Sequence, residues 1–378
     1  MPGLYIASTR PKTGKTLCAC AMGVLMQRQG LSVGYIKPVG GELKLVEAGK
    51  GDAGALVVQE VLGQDALPED LTTVMRHSAW GQLGSCPLRG EEALGRIKKS
   101  YAGIAKGKDW TLVNGSGSFP AAGQFAGVDG LTLVQALDLR VILVETLEDG
   151  LDFDAVLLLR KHLGKRLAGV ILNKAPTSEI PLCRQWLAPY LESYGVKVLG
   201  IIPNEPELKV IRCMNLAYEL GGRIVAGNSS AAKLGIAGFL IGSMQIDGFM
   251  TRVRDKTASA IIVGGDRTDL QLAALCAKGN CLVLTGNISP DELVRTRAEK
   301  LDIPIIVATE DTYTMARRIA RILEDRKFDD MSQINRGIRL FDESIELEAL
   351  LAYLGNGKAP RRHPDSPAPR PAPSAKKA

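Results

Sequence analysis

The most constraining stretch of this chain lies at its start. A short apolar run, Gly3–Ala7, leads straight into Ser8-Thr9-Arg10-Pro11-Lys12-Thr13-Gly14-Lys15-Thr16, and a helical pattern over Leu17–Gln29 begins at once. A strand that becomes a helix at Gly-Lys-Thr is the arrangement of the phosphate loop GxxxxGK[ST], here with Thr9 at the place of the first glycine. Gly14 frees the backbone to turn its amides inward, and the helix N-terminus adds the positive end of its dipole. Lys15 can then reach the β- and γ-phosphates of a nucleotide, and the Thr16 hydroxyl can hold Mg²⁺. A chance tripeptide in a surface turn is the alternative, but the strand-to-helix junction favours phosphate. Thr9, Lys12, Thr13, Gly14, Lys15 and Thr16 are therefore the candidate nucleotide-binding residues, with Lys15 the first catalytic candidate. Arg10 and Lys12 make the loop unusually cationic, either adding phosphate affinity or standing solvated.

The rest of the first two hundred residues fits that start. Val33–Lys37, Trp110–Asn114, Arg140–Val144, Ala168–Asn173 and Lys197–Ile202 read as strands, separated by the helical segments Leu88–Ala105, Phe153–Leu163 and Ile180–Tyr194. Strands that are apolar throughout and alternate with helices predict a doubly wound α/β fold with a mainly parallel sheet covered on both faces. The turn at Asn204-Glu205-Pro206 marks a junction. Beyond it a second, smaller α/β block is expected, with strands at Ile224–Val225, Phe239–Ile241, Ala260–Val263, Cys281–Leu284 and Pro304–Val307. Its helices are expected at Thr268–Ala277, Ser289–Leu301 and Thr312–Arg326. The expected division is residues 1–205, 215–325, a helical segment 329–354 and a disordered Pro/Lys/Arg tail 355–378.

Charge argues against a nucleic-acid binder. The formal net charge is +6, but from Lys358 onward six cations face one anion, so the tail carries +5 and the body only +1. A short basic tail gives weak, salt-sensitive attraction to phosphates, and no specific nucleic acid is expected. The seven cysteines, Cys18, Cys20, Cys86, Cys183, Cys213, Cys276 and Cys281, show no CxxC pair, and several sit in apolar runs (Cys276 among them) where a thiol acts as a small hydrophobe. Reduced core cysteines, no cationic-then-apolar leader and no apolar window of membrane-spanning length lead to the expectation of a cytoplasmic protein without a membrane. The three histidines, His77, His162 and His363, form no constellation with a nucleophile or metal.

Thr-x-x-x-x-Gly-Lys-Thr after the first strand, followed by Gly34-Tyr35-Ile36-Lys37-Pro38-Val39, resembles the dethiobiotin synthetase family of P-loop enzymes. It is similar above all to the dethiobiotin-synthetase-like segment at the N-terminus of bacterial phosphotransacetylases. The resemblance implies ATP and Mg²⁺ as cofactors and makes Lys37 a second catalytic candidate, at the carboxyl end of a strand where such sheets bind ligands. It implies that Asp52, in Gly51-Asp52-Ala53, helps hold the metal with Thr16. Asn173, in Leu172-Asn173-Lys174, and Pro203, in Gly200-Ile201-Ile202-Pro203, would border the adenine. One departure stands out: Val113-Asn114-Gly115 occupies the family's Val-Glu-Gly, so the metal candidate Asn114 keeps an oxygen but loses the charge that Mg²⁺ prefers.

Residues of roughly 215–325 resemble the small DRTGG domain on Gly264-Gly265-Asp266-Arg267-Thr268-Asp269, with Asp269-Leu270 in place of the motif's glycine pair. Leu282-Val283-Leu284-Thr285-Gly286 and Glu310-Asp311-Thr312-Tyr313 agree with the pattern. In this βα loop of Gly265, Asp266, Arg267 and Thr268, Asp266 would cap the helix and Arg267 clamp an anion, or the loop is structural with an exposed arginine. The expected ligand there is a small molecule or a protein. The part of a phosphotransacetylase that transfers acetyl groups would follow the second domain, so phosphate acetyltransferase activity is not expected. The leading expectation is a nucleotide-dependent regulator or sensor in central acetyl- or acyl-phosphate metabolism. The second is an ATP-dependent ligase of the synthetase type, phosphorylating a carbamate or carboxylate before an amine displaces phosphate. P-loop proteins of this kind are commonly dimers, and a homodimer is expected.

Overall fold

A computed structural model of the chain describes residues 3–76, 89–148, 150–228, 231–242, 245–253, 259–277, 280–324 and 330–355. His77, Cys86, Leu88, Arg326, Asp329 and the tail expected from Gly355 on, except Gly355 itself, lie outside them. The chain divides into two compact units, Met1–Asn204 with Phe328–Ala378, and Glu205–Lys327.

The first unit runs β1 (Gly3–Ala7), α1 (Lys15–Arg28), β2 (Val33–Ile36), β3 (Val39–Gly40), β4 (Leu43–Val46), β5 (Gly49–Asp52), α2 (Ala53–Leu62), α3 (Pro68–Leu71), β6 (Val74–Met75), α4 (Gly90–Ala105) and β7 (Trp110–Asn114). It continues α5 (Gly130–Ala136), β8 (Arg140–Thr146), α6 (Phe153–Leu163), β9 (Leu167–Ala175), α7 (Ile180–Leu182), α8 (Ala188–Ser193) and β10 (Val198–Pro203). Six strands form one parallel sheet in the order β10-β9-β8-β1-β7-β2. Every residue of β1 and β7 is buried, as expected of strands covered on both faces. Because β1 lies between β7 and β8, the loops leaving their carboxyl ends open into one crevice, the place where open α/β sheets bind ligands.

Two features depart from the expected pattern here. The helix expected over Ile180–Tyr194 contains a π turn, Cys183–Leu187, between α7 and α8. An antiparallel hairpin, β4 with β5, follows Lys37. Leu45 on it is 75% exposed, so no burial pattern announces it.

The second unit holds β11 (Ile211–Arg212), α9 (Cys213–Glu219), β12 (Arg223–Ala226), β13 (Gly235–Ile236), β14 (Gly238–Gly242), α10 (Ile246–Val253), β15 (Ser259–Gly264), α11 (Thr268–Leu275), β16 (Cys281–Thr285), α12 (Glu292–Leu301), β17 (Ile305–Val307) and α13 (Thr312–Glu324). Its sheet, ordered β12-β17-β16-β15-β14, is parallel except for β12 at the edge. Apolar clusters cover both faces, one around Met315 and Ile319 of α13, the other around Leu270 and Val294. Cys276 does not join them: it is exposed, since it follows the last residue of α11 as that helix ends.

The chain then returns to the first unit as two helices, α14 (Met331–Ser344) and α15 (Leu347–Leu354). One helical segment was expected over Asp329–Leu354, but Ile345 adopts extended angles (φ −136°, ψ 121°) and packs on Gly200, whose absent Cβ would lie 2.6 Å from the Ile345 side chain. α14 packs along α1, with Gly337 directly over Leu17, the residue after Thr16. Tyr353 of α15 lies 4.0 Å from the Lys197 ammonium by its ring centroid and donates its hydroxyl to the Ala168 carbonyl at 3.0 Å.

Candidate functional site: the loop after the first strand

β1 ends at Ala7 and α1 starts at Lys15, so Ser8–Gly14 forms a loop at the carboxyl edge of the sheet. Gly14 has φ +98°, a left-handed conformation, and a Cβ there would collide with the Asn173 amide. Only glycine meets both conditions. Asn173, at the end of β9, donates from Nδ2 to the Thr13 carbonyl at 2.8 Å, and Lys174 donates to the Lys12 carbonyl at 2.9 Å. The structure thus places Asn173 against the loop's own backbone. Pro203 ends β10 at the outer edge of the sheet. Lys12 is exposed, at φ +61°, while Arg10 donates to the Gly150 carbonyl at 2.6 Å.

Lys15 is buried, and its ammonium is held by neutral oxygens: the Ser8 hydroxyl, the Gly117 carbonyl at 2.9 Å and the Arg10 carbonyl at 3.3 Å. Burial lowers its pKa to about 8, with the nearby charge of Glu145 opposing the shift and Lys37 and Arg76 adding to it. Among the described residues no carboxylate is hydrogen-bonded to this buried cation, so its charge is met only by neutral oxygens.

Glu145, at the end of β8, was missed by the sequence reading and does much to shape the loop. It is fully buried, and its two carboxylate oxygens accept from the Thr9 amide and the Thr9 hydroxyl, both at 2.6 Å. Thr9, standing where the general motif has glycine, is therefore clamped at two atoms. Desolvation raises the Glu145 pKa, and the Thr9 bonds oppose that rise. The available signal was a single glutamate after the apolar run Val141–Val144, near the end of the strand Arg140–Thr146 and on the edge where ligands bind.

Lys37, Asp52, Thr16 and Asn114 come together beside the loop. A Cβ on Gly54 would lie 3.3 Å from Asp52, 3.5 Å from Thr16 and 3.8 Å from the Lys37 ammonium. Asp52 is fully used: Oδ1 accepts from Lys37 Nζ at 2.6 Å and the Ala55 amide at 3.0 Å, and Oδ2 from the Gly41 and Glu42 amides at 2.7 and 3.2 Å. It caps α2 and pairs Lys37, so its lone pairs are committed. Asn114 is buried, and its Nδ2 reaches the Thr16 hydroxyl and the Tyr35 hydroxyl, both at 3.1 Å. Its Oδ1 is buried and has no partner among the described residues. An unpartnered buried oxygen on the side chain that contacts Thr16 suits the oxygen preference of a magnesium ion arriving with phosphates; a resident metal cluster does not fit, as no group of three His, Cys, Asp or Glu side chains is poised for one among the described residues.

In the second unit, Gly264–Thr268 links β15 to α11 as a tied loop. The Gly265 amide donates to the Thr285 carbonyl at 3.1 Å, Gln271 donates to the Gly264 and Gly265 carbonyls at 3.1 and 3.0 Å, and Thr268 donates to Asp291 at 3.1 Å. Two details correct the expectation. No side chain caps α11, so Asp266 does not serve there, the loop entering the helix at Arg267 instead. Arg267 is engaged bidentately by Asp269, at 2.9 and 2.8 Å. The residue that replaces a motif glycine supplies the carboxylate that occupies the motif's arginine.

A family model for an AAA domain, AAA_26, matches residues 2–212, and a DRTGG domain model matches residues 215–322. The chain is 23% identical over 368 residues to the phosphate acetyltransferase of Synechocystis sp., covering 93% of this chain and 51% of that protein. It is 26% identical over 355 residues to the phosphate acetyltransferase of Pseudomonas putida, covering 87% and 48%. Against the ATP-dependent dethiobiotin synthetase BioD of Methanococcus vannielii it is 25% identical over 221 residues, covering 56% of this chain and 99% of that one. The chain thus spans about half the length of the phosphate acetyltransferases it matches. With its GKT loop, its parallel sheet and its matched segments, the chain belongs to the AAA_26 family of P-loop, BioD-like domains, here followed by a DRTGG domain.

Proposed function

We propose that this chain is a nucleotide-dependent regulator that binds MgATP on the loop after β1 and signals through its DRTGG unit, in the service of acetyl- or acyl-phosphate metabolism. The observation that carries the reading is Lys15, a buried cation held by three neutral oxygens at a helix N-terminus. The phosphates of a nucleotide would replace those oxygens as its partners, with loop amides adding donors. Thr16 and the free Oδ1 of Asn114 would hold the magnesium ion. When bound, that ion supplies positive charge to the phosphate oxygens.

Regulation is favoured over synthesis because, among the described residues, the two candidate metal ligands beside Thr16 offer no spare carboxylate: Asp52 is saturated and Asn114 is neutral. Coupling needs a ligand that prefers one conformation of the chain. The packing of α14 on Leu17 supports this, since the same helix that follows the DRTGG unit in sequence touches the residue after Thr16. A second reading, an ATP-dependent ligase, draws on Lys37, which stands 3.8 Å from the position of a Gly54 Cβ, beside Thr16.

Phosphate release separates the two. With MgATP and a panel of amines and carboxylates, the regulator shows nucleotide binding and a flat, slow release that Lys37→Ala leaves unchanged. Release that rises with one substrate and collapses in both Lys15→Ala and Lys37→Ala would establish the ligase.

A further inference from the structure

Beside the loop lies a second cationic position that the family motifs do not name. β6 pairs in parallel with β3, Val39 opposite Val74 and Gly40 opposite Met75, and the Arg76 amide closes the pairing on the Gly40 carbonyl at 3.0 Å. This two-stranded ribbon, built directly after Lys37-Pro38, carries Arg76 to the mouth of the crevice. A Cβ on Gly117 would lie 2.8 Å from Arg76 Nη1, and one on Gly41 3.2 Å from Nη2 and 3.6 Å from the Ser116 hydroxyl. The guanidinium therefore spans the gap between the segments that follow β3 and β7, over two glycines, with Ser116 at its side. The carbonyl of Gly117 is the one that holds Lys15, and Asp52, the carboxylate on the same side, is already saturated by Lys37 and three amides.

We propose that Arg76, with Ser116, forms an oxyanion subsite for a second ligand, a carboxylate or a phosphate ester, bound next to the nucleotide's phosphates. The planar guanidinium presents two parallel donors, which suits a carboxylate or phosphate face, and the exposed position at the crevice mouth gives that ligand access. Lys15, Lys37 and Arg76 bring three cations to one crevice, where Asp52 and Glu145 are both engaged by other partners. The nucleotide would neutralise Lys15, Asp52 already neutralises Lys37, and Arg76 is left for the second anion. This inference deepens the nucleotide reading but does not depend on it for its test.

The test follows the side-chain Nε–H signal of Arg76, identified by its loss in Arg76→Ala, during titration with inorganic phosphate in one arm and glutarate in the other. Each arm is run on protein saturated with a magnesium complex of a non-hydrolysable ATP analogue, and on Lys15→Ala protein without nucleotide. The proposal expects a saturable shift with at least one probe in protein that carries Arg76, and an affinity for that probe, read by isothermal titration, that falls about tenfold or more in Arg76→Ala and less in Arg76→Lys. An unmoved signal with both probes, or equal probe binding by Arg76→Ala, overturns the subsite. Failure of the analogue to bind wild-type protein would instead overturn the nucleotide reading, and the Lys15→Ala arm would still decide the subsite.

Discussion

Glu145 offers the sharpest test of how the loop is held. Removing it as Glu145→Ala leaves the Thr9 amide and hydroxyl without their acceptors, each now bonded at 2.6 Å. An unsatisfied buried donor costs roughly 1–3 kcal/mol, so the pair should cost about 2–5 kcal/mol after partial relaxation. For a unit of this size that corresponds to a fall in Tm of roughly 5–15 °C. Glu145→Gln keeps an acceptor for the amide and a donor for the hydroxyl, so it should lose much less. The two variants share a second consequence. The Glu145 charge opposes the depression of the Lys15 pKa, so either substitution lowers that pKa below about 8. The pH midpoint for nucleotide affinity should fall with it. Scanning calorimetry of the three proteins, with analogue titrations between roughly pH 6.5 and 9, measures both effects. Equal Tm for wild type and Glu145→Ala would refute the clamp; an unshifted pH midpoint in Glu145→Gln would refute the electrostatic link to Lys15.

Other outcomes follow from the same geometry. Lys15 is depressed in the folded protein from 10.5 to about 8, so between those values the unfolded chain holds the extra proton, and this group makes stability rise with pH across that window. Nucleotide binding near pH 8–9 should accordingly take up protons, read by calorimetry in buffers of different ionisation enthalpy. Gly337→Ala places a Cβ within 2.5–2.9 Å of the Leu17 side chain and should destabilise by about 1–3 kcal/mol, as overpacking does; a denaturant titration checks it. Asp269→Ala removes the partner of Arg267 and should leave the melting temperature essentially unchanged, the pair being exposed, while increasing binding of anionic probes to the second unit; unchanged anion binding would show that Arg267 is not the limiting group.

The parts of the fold that were legible in the amino-acid sequence are those decided locally. β1 and β7 are buried throughout because both faces of their sheet are covered, and the strand-to-helix step at Gly14-Lys15-Thr16 is written in consecutive residues. What escaped was decided by where the folded backbone brings partners together. The resemblance implies a metal role for Asp52, but nothing in the sequence announces the Gly41 and Glu42 amides and the Lys37 ammonium that meet it in the fold. Arg267 looked free until Asp269 turned back on it two residues away. Thr9 looked like a defect in a glycine motif, and only the pairing of β1 with β8 reveals the carboxylate that makes threonine the fitting residue. The break at Ile345 carries no glycine or proline; its packing on Gly200 sets it, and no periodicity could announce that.

The central claim is that Lys15 waits for a nucleotide's phosphates. Isothermal titration of MgATP into wild-type protein and Lys15→Ala at pH 7 tests it most directly. The account predicts saturable binding by the wild type and a loss of affinity of roughly 30-fold or more in the variant, the scale of a lost charge-assisted contact to phosphate. No binding by the wild type, or the same affinity in both proteins, would contradict it.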